Sequence, residues 1–439
     1  MSLNKEYTAG IYTLGCKVNQ YESEAIAEEL ERNGIKILPP SSVCDAYIIN
    51  TCTVTAESDR KARQFIRRAI SKNPDAYVIV TGCLAQTSAN EVAKIEGVDV
   101  IVGNTSKLLA ATKLIALMEK GLKNKTPEIL VGDIDSAPFE QISITHFDRT
   151  RAYVKIEDGC ENKCTYCIIP YARGKVRSKK PEALINEVIE LVRGGCREIV
   201  LTGIETASYG KDLGDIDLSD ILCIIDKIDG IGRVRLGSLD PSLIRGDFAK
   251  KLASLSCLAP HFHLSLQSGS DKVLALMKRK YNSRMAMNAI ELLREYIPNA
   301  KFTTDVIVGF PGESEEDFED TLKFVSKAEF LMVHIFPYSK REGTPAAKMQ
   351  GQLSTQEKSR RLHELEKAAA NSRLAILQRE IKECAVKEVL FETYTDGYAH
   401  GHTVDFIEVS VKSDVPLRSE LRKVRLFDTD GKVCFGELI

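Results

Sequence analysis

Residues 151–178 read RAYVKIEDGCENKCTYCIIPYARGKVRS, a strand-like run ending in Cys160, Cys164 and Cys167 at the spacing C-x-x-x-C-x-x-C. Three thiolates supplied by so short a loop suit a four-iron cluster held through three of its irons, because Cys thiolates are the ligands such clusters take. One iron is then left without a protein ligand. An open metal position is where a substrate or cofactor coordinates, whereas a fully ligated site is structural or passes electrons. The alternative, a structural zinc knot, calls for a fourth Cys or a His in paired spacing, and neither lies nearby.

Downstream of this loop the pattern is strand then helix, repeated about six times to residue 350, through EIVLTG, VRLGSL, HFHLSL, TTDVIVG and MVHIFPY. Parallel strands joined by right-handed helical crossovers close into a barrel, and six units give an incomplete (β/α)6 one. Its active face is expected at the C-terminal strand ends. Those ends carry polar groups: Gly203 and Glu205 after the second strand, Ser238 and Asp240 after the third, Gln267 and Ser268 after the fourth, Asp305 and Val308 on the fifth. On one rim with a cluster they form a candidate cofactor site. Gly203 is expected to admit a ligand close to the backbone, and Glu205 to receive a cofactor ammonium group. Arg173, Lys175, Arg177, Lys179 and Lys180 make a basic run just past the cluster loop, and Lys278, Arg279, Lys280 and Arg284 make another. Each suits phosphate contact, and each also reads as ordinary solvated surface.

Upstream, residues 8–120 alternate short apolar runs (GIYTL, DAYIIN, AYVIVTG, VDVIVG) with amphipathic helical stretches, the pattern of a parallel α/β sheet. Cys16, Cys52 and Cys83 follow the first three runs. Ligands gather beyond the carboxyl ends of such strands, so these three Cys are expected on one rim as a second three-thiolate site. Residues 121–150 lose periodicity and read as a linker. Ser354 to Glu357 reads as a capping box opening a long helix with Leu362, Leu365 and Ala369 on its buried face. The short β runs VKEVLFETYT, FIEVSVKS, RKVRLFD and KVCFGELI close the chain as a small β-barrel. His400 and His402 read as loop residues in a Gly-bounded turn. The expected division is 1–125, a linker 126–147, 148–375 and 376–439.

A chain of 439 residues exceeds one ordinary core, and 44% hydrophobic with 28% charged residues is a soluble composition. With neither a secretion signal nor a bilayer-length apolar run, the cytoplasm is expected and no membrane association. The remaining Cys (Cys44, Cys196, Cys223, Cys257, Cys384, Cys434) read as small core hydrophobes. A net charge of −2 excludes a uniformly basic nucleic-acid coat, leaving local patches such as Arg418, Arg422, Lys423 and Arg425 for any RNA contact.

The C-x-x-x-C-x-x-C loop, with Tyr166 before its last Cys, resembles the radical S-adenosylmethionine superfamily. The segments TLGCKVNQYESE, INTCTVT and TGCLAQ resemble the N-terminal domain of its methylthiotransferases, and DGYAHGHTVDFIEVSV resembles the RNA-binding TRAM module. The resemblance spans essentially the whole chain. It implies two four-iron clusters, on Cys16, Cys52 and Cys83 and on Cys160, Cys164 and Cys167, with S-adenosylmethionine at the second. It assigns Tyr166 to the adenine, with plain packing as the alternative, makes Asp305 catalytic, and gives Gly203, Glu205, Ser238, Asp240, Gln267, Ser268 and Val308 to the cofactor. Arg173 and Arg177, in an RGxxRS motif, are implied for RNA along with Arg422 and Lys423. Glu205 and Gly237 depart from the family's usual Asn and Ser. The loop GCKVNQYESE is similar to the branch that methylthiolates threonylcarbamoyladenosine at position 37 of tRNA, Lys17 and Gln20 being the distinguishing letters. Branches acting on isopentenyladenosine in tRNA, or on a ribosomal protein aspartate, are the near alternatives, and a noncatalytic iron–sulfur RNA-binding regulator is the distant one. Implied partners are the tRNA anticodon loop and an electron-donor protein, not DNA. On this resemblance one S-adenosylmethionine methylates sulfur held at the first cluster, and a second, cleaved at the other, activates the base.

Overall fold

The chain crosses its first sheet six times. A computed structural model describes residues 6–147, 150–383 and 386–439; Cys384 and the expected boundary at 148 lie outside them. Strands β1 (Tyr7–Thr13), β2 (Ile35–Leu38), β3 (Ala46–Thr51), β4 (Tyr77–Gly82), β5 (Val100–Val102) and β6 (Glu128–Leu130) pair in parallel in the order β2-β1-β3-β4-β5-β6. Every residue of β3 and β4 is buried, as uninterrupted apolar runs covered by helices on both faces should be. Two of the six strands carry no strong signal in the sequence. Edge strand β2 is only four residues long, and β6 lies within the expected linker. The same stretch sends Glu140 to accept from the backbone N–H groups of Lys107 and Leu108 at 2.7 and 3.1 Å, capping helix Leu108–Lys120. The N-terminal unit therefore extends past residue 125.

The central unit is built on β7 (Arg151–Lys155), β10 (Glu198–Thr202), β11 (Arg233–Leu236), β12 (Ser238–Leu239), β13 (His261–Gln267), β14 (Lys301–Val308) and β15 (Met332–Pro337), while β8 (Glu157–Asp158) and β9 (Arg177–Ser178) brace the loop after β7. All barrel pairings are parallel, in the orders β11-β10-β7 and β12-β13-β14-β15. Only Gly237 separates β11 from β12, so the two sheets are one curved wall, and β7 does not pair with β15. The barrel is thus six crossings wide and open on one side. Helix Lys17–Arg32 packs against β7 at that opening, and Tyr21 on it donates to the Ile142 carbonyl at 2.6 Å.

Helix Thr355–Glu383 runs back along the barrel with Leu365 buried, continuing past the expected boundary at 375. It leads to a closed barrel in the order β16-β17-β18-β20-β19, from β16 (Val386–Thr395), β17 (Tyr398–Thr403), β18 (Glu408–Lys412), β19 (Leu421–Thr429) and β20 (Cys434–Leu438). His400 and His402 are not loop residues: both lie in β17, behind a two-residue turn in which Asp396 and Gly397 have φ of 54° and 80°. Asp-Gly between strands is the pair that such hairpin turns favour. Of the scattered Cys, Cys44, Cys196, Cys257 and Cys434 are buried and Cys223 is half-buried. No helix among the described residues is long and apolar enough to cross a membrane.

Candidate active site

Cys16, Cys52 and Cys83 stand past the ends of β1, β3 and β4, three consecutive strands of one sheet. Two glycines fix how closely they gather. Gly15 has φ +96°, and a Cβ there would fall 2.8 Å from the Cys52 Sγ; Gly82 has φ +99°, and its Cβ would fall 2.3 Å from the Thr51 carbonyl oxygen. Asn104 donates to the Cys83 Sγ at 3.6 Å. Burial and then the neighbouring Cys83 push the Cys52 thiol up to about 11, and burial raises Cys16 against the pull of Arg173. Thiols held protonated by desolvation become good ligands when a metal displaces the proton.

The second trio comes from one loop. Arg279 donates to the Cys164 Sγ at 3.2 Å, and the Cys160 thiol donates to Glu205 at 3.3 Å. Burial and Glu205 raise the Cys160 pKa, and burial pushes Cys167 up to about 12. Among the described residues, the group of three His, Cys, Asp or Glu ligand atoms lying within 4.8 Å of one another is His263, Asp305 and His334, not either Cys trio. A single tetrahedral zinc would draw its sulfurs closer than that. Cys thiolates in threes, one trio with a cation beside a sulfur and the other with an amide donor, are the donor set an iron–sulfur cluster takes.

Against the loop trio lies a cleft of about 130 Å³ lined by Cys160, Cys164, Tyr166, Cys167, Glu205, Ser238, Asp240 and Arg279, among others. Several residues expected there lie elsewhere. Gly203 lies outside the cleft lining, and the Glu157 carboxylate occupies its Cβ side, 2.1 Å from where a Cβ would stand. Ser268 is buried, its hydroxyl 3.2 Å from Thr321, so it fixes helix Glu315–Ala328 to the barrel. Val308 is core. Gln267 sits at a bulge with φ of 67°, outside the cleft lining. Glu205 faces the cleft but is already engaged by Cys160 and by Asn162 at 2.7 Å. Arg279, read from sequence as surface charge, is instead held by Asp240 at 2.9 Å and pointed at sulfur. Only the chain's return through Met277 and Lys278 to the cluster loop, where Thr165 N–H donates to the Met277 carbonyl at 3.1 Å, brings it there.

Arg173 and Arg177 do not face RNA. Arg173 is fully buried, donating to Glu22 at 2.6 Å and to Asp158 at 3.0 Å, and Lys155 and Lys107 complete the cluster on Glu22 at 3.1 and 3.3 Å. Arg177 donates to the carbonyls of Ile134 and Arg173 at 3.1 and 2.7 Å. Glu22 lies six residues past Cys16 on the helix it opens, and Arg173 ends the short helix that follows Cys167, so this ion cluster ties the two thiol sites together. Asn104 does the same, donating both to Cys83 and, at 2.7 Å, to the Ala172 carbonyl. The two trios therefore lie on either side of one buried ion cluster. Burial opposes it, but Arg173, Lys107 and Lys155 hold the Glu22 carboxyl well below its usual range.

The barrel interior forms a chamber beside helix Lys17–Arg32. Lys17 is exposed at the start of that helix; burial and then Arg151 and Arg235 lower its pKa, and Asp305 opposes them. Asp305 on β14 is 3.3 Å from the His263 Nε2 and in register with His334 on β15. The floor is closed by the C-terminal barrel: Phe406 stacks between His261 (4.4 Å) and His402 (4.7 Å), under the Arg235 guanidinium at 4.8 Å. On the outer side, Arg341 clamps the Cys52 loop through Thr53 and Asp59 at 2.7 and 2.8 Å.

The mouth is a cleft of about 640 Å³ that includes Cys160, Cys164 and Cys167 in its wall, with exposed Lys163, Lys175, Lys278 and Tyr171 around it. Lys163 and Tyr171 carry no sequence signal of their own; they matter because the cluster loop lifts them to the rim. Arg422 and Lys423 are exposed on β19, the former engaged by Glu420.

The chain is similar to known proteins along most of its length. Residues 154–325 match the model of the radical SAM superfamily, and residues 8–103 match that of the uncharacterized protein family UPF0004. The threonylcarbamoyladenosine tRNA methylthiotransferase MtaB of Bacillus subtilis is 39% identical, over 98% of this chain and 96% of its own. The protein of that name from Thermotoga maritima is 41% identical over 88% and 87%. The tRNA-2-methylthio-N(6)-dimethylallyladenosine synthase of Carboxydothermus hydrogenoformans is 37% identical over 87% of each. Among solved structures, the radical S-adenosylmethionine methyltransferase TsrM of Kitasatospora setae, with cobalamin and a [4Fe-4S] cluster bound, superposes with a TM-score of 0.57 at 14% identity, covering 78% of this chain and 77% of that one, a likeness of fold.

Proposed function

Since the chain belongs to the methylthiotransferases of the radical S-adenosylmethionine superfamily, we propose that it converts N6-threonylcarbamoyladenosine at position 37 of tRNA to its 2-methylthio derivative. The observation that carries this reading is the pair of three-thiol sites joined through Arg173 and Asn104. Carbon 2 of adenine bears a hydrogen that side-chain acids and bases do not activate. S-adenosylmethionine bound at a reduced four-iron cluster supplies the radical chemistry this bond requires.

The residues of the chain bind, orient and enclose. Cys160, Cys164 and Cys167 hold the cluster that binds S-adenosylmethionine, with Arg279 fixing the charge beside Cys164, and Cys16, Cys52 and Cys83 hold the second. Tyr166, Glu205, Ser238 and Asp240 face the cofactor, and Asp305 faces the base from the barrel interior. Lys163, Lys175 and Lys278 take phosphates of the anticodon loop at the mouth, with Tyr171 offering a stacking surface and Arg422 and Lys423 a more distant contact. Phe406 closes the floor against water. The reading places the enzyme with its tRNA in the cytoplasm, supplied with electrons by a donor protein.

Mass spectrometry of tRNA nucleosides from cells lacking the chain tests it. The methylthio-threonylcarbamoyl nucleoside is expected to disappear while the methylthio-isopentenyl one persists. The opposite loss would move the chain to the isopentenyl branch, and unchanged tRNA would refute both.

A further inference from the structure

The chamber holds a cluster of groups that cofactor binding does not use. His263, Asp305 and His334, on three adjacent strands, converge with their ligand atoms within 4.8 Å of one another, and the two imidazole rings are 5.9 Å apart. Two His and one carboxylate would suit a divalent cation. The surroundings oppose one: Lys17 faces Asp305 and His334, with Arg151 and Arg235 beside it, and cations repel a cation. Arg151 and Arg235 are already paired, with Glu392 at 2.9 Å and Glu198 at 2.7 Å, whereas Lys17 is exposed. Lys17 follows Cys16 at the first turn of its helix, so it reaches the chamber beside the second cluster site, where a base undergoing substitution must lie.

An ammonium, a carboxylate and two imidazoles form a mixed donor and acceptor set on the inside of the barrel. Such a set matches a substituent that carries both a carboxylate and a hydroxyl. It is mismatched to an apolar one, which would leave these groups desolvated and unpaired. We propose that Lys17 takes the carboxylate, and His263, Asp305 and His334 the hydroxyl and carbamoyl groups, of the threonylcarbamoyl arm of the substrate, so that these residues select the tRNA base. This inference rests on the proposed function.

The test uses the cluster-loaded full chain and two anticodon stem-loop RNAs, one with threonylcarbamoyladenosine and one with the methyl ester of the same arm. Equilibrium binding without S-adenosylmethionine and kcat/KM for methylthiolation are both measured. The wild-type chain is expected to prefer the acid by about tenfold or more. Lys17→Met should erase that preference, Lys17→Arg should keep most of it, and His334→Gln, remote from the cluster ligands, should weaken binding of both RNAs. A wild-type chain that binds acid and ester equally overturns the inference even where the acid is methylthiolated. Equal losses on both RNAs in Lys17→Met overturn it in favour of a structural role, and stoichiometric Mn²⁺ binding to the iron-free chain that His334→Gln abolishes overturns it in favour of a metal site. Methylthiolation of isopentenyladenosine alone would defeat the proposed function as well.

Discussion

The two thiol trios are built in opposite ways. One occupies eight consecutive residues, Cys160 to Cys167, and its geometry follows from a single loop braced by β8 and β9. The other draws Cys16, Cys52 and Cys83 from three strands, and they meet only because the sheet order sets β1, β3 and β4 side by side. A local site tolerates change in the surrounding fold; a distributed one inherits every shift of register. That difference sets what should break each.

The largest expected effects separate the trios outright. Cys164→Ala should abolish S-adenosylmethionine cleavage, and Cys52→Ala should abolish the methylthio product while cleavage continues. Iron analysis should find about four atoms fewer in each case. If Cys52→Ala also stopped cleavage, the two sites would not be separable as drawn.

Arg173→Met tests the joint between them. It leaves Glu22 and Asp158 buried with fewer partners, a change that costs about 3–5 kcal/mol. Thermal unfolding should fall accordingly, with iron lost from both sites. The same joint predicts a pH dependence. Glu22 has a folded pKa below its usual value of 4.5, so its stabilisation is complete above that value and is lost as pH falls through the lower folded one. Glu22→Gln should lessen the drop in stability between pH 4.5 and lower pH.

Gly82→Ala gives the smallest effect on stability and a selective one. It places a Cβ at φ +99° against Thr51, between Cys52 and Cys83, at a cost of about 1–3 kcal/mol. Iron should fall at the distributed site while the loop site keeps its own. Equal loss at both would show that the sheet rim and the barrel loop are coupled more tightly than their separate construction implies.

Both trios were legible from spacing and from where strands end, because short-range motifs and apolar periodicity are local properties of the chain. Strand β17 was not, since Tyr398–Thr403 alternates without the usual apolar run, although the Asp-Gly turn before it was a usable signal. Strand β6 was missed for a similar reason: three residues suffice to pair with β5 at a sheet edge, too few to leave a period.

By itself the sequence determined the α/β class, the closing β-barrel, the two groups of three Cys and the family. Only the tertiary structure decided which charges face inward. Arg173, in a motif that reads as a phosphate contact, is consumed by Glu22 and Asp158. Arg279 turns to a cluster sulfur, and Lys17 enters a chamber whose floor belongs to another part of the chain. The reason is that a charged residue looks alike in sequence whether water or an ion pair solvates it, and the choice between them is made by partners the fold brings in, such as Glu22 for Arg173 and Cys164 for Arg279.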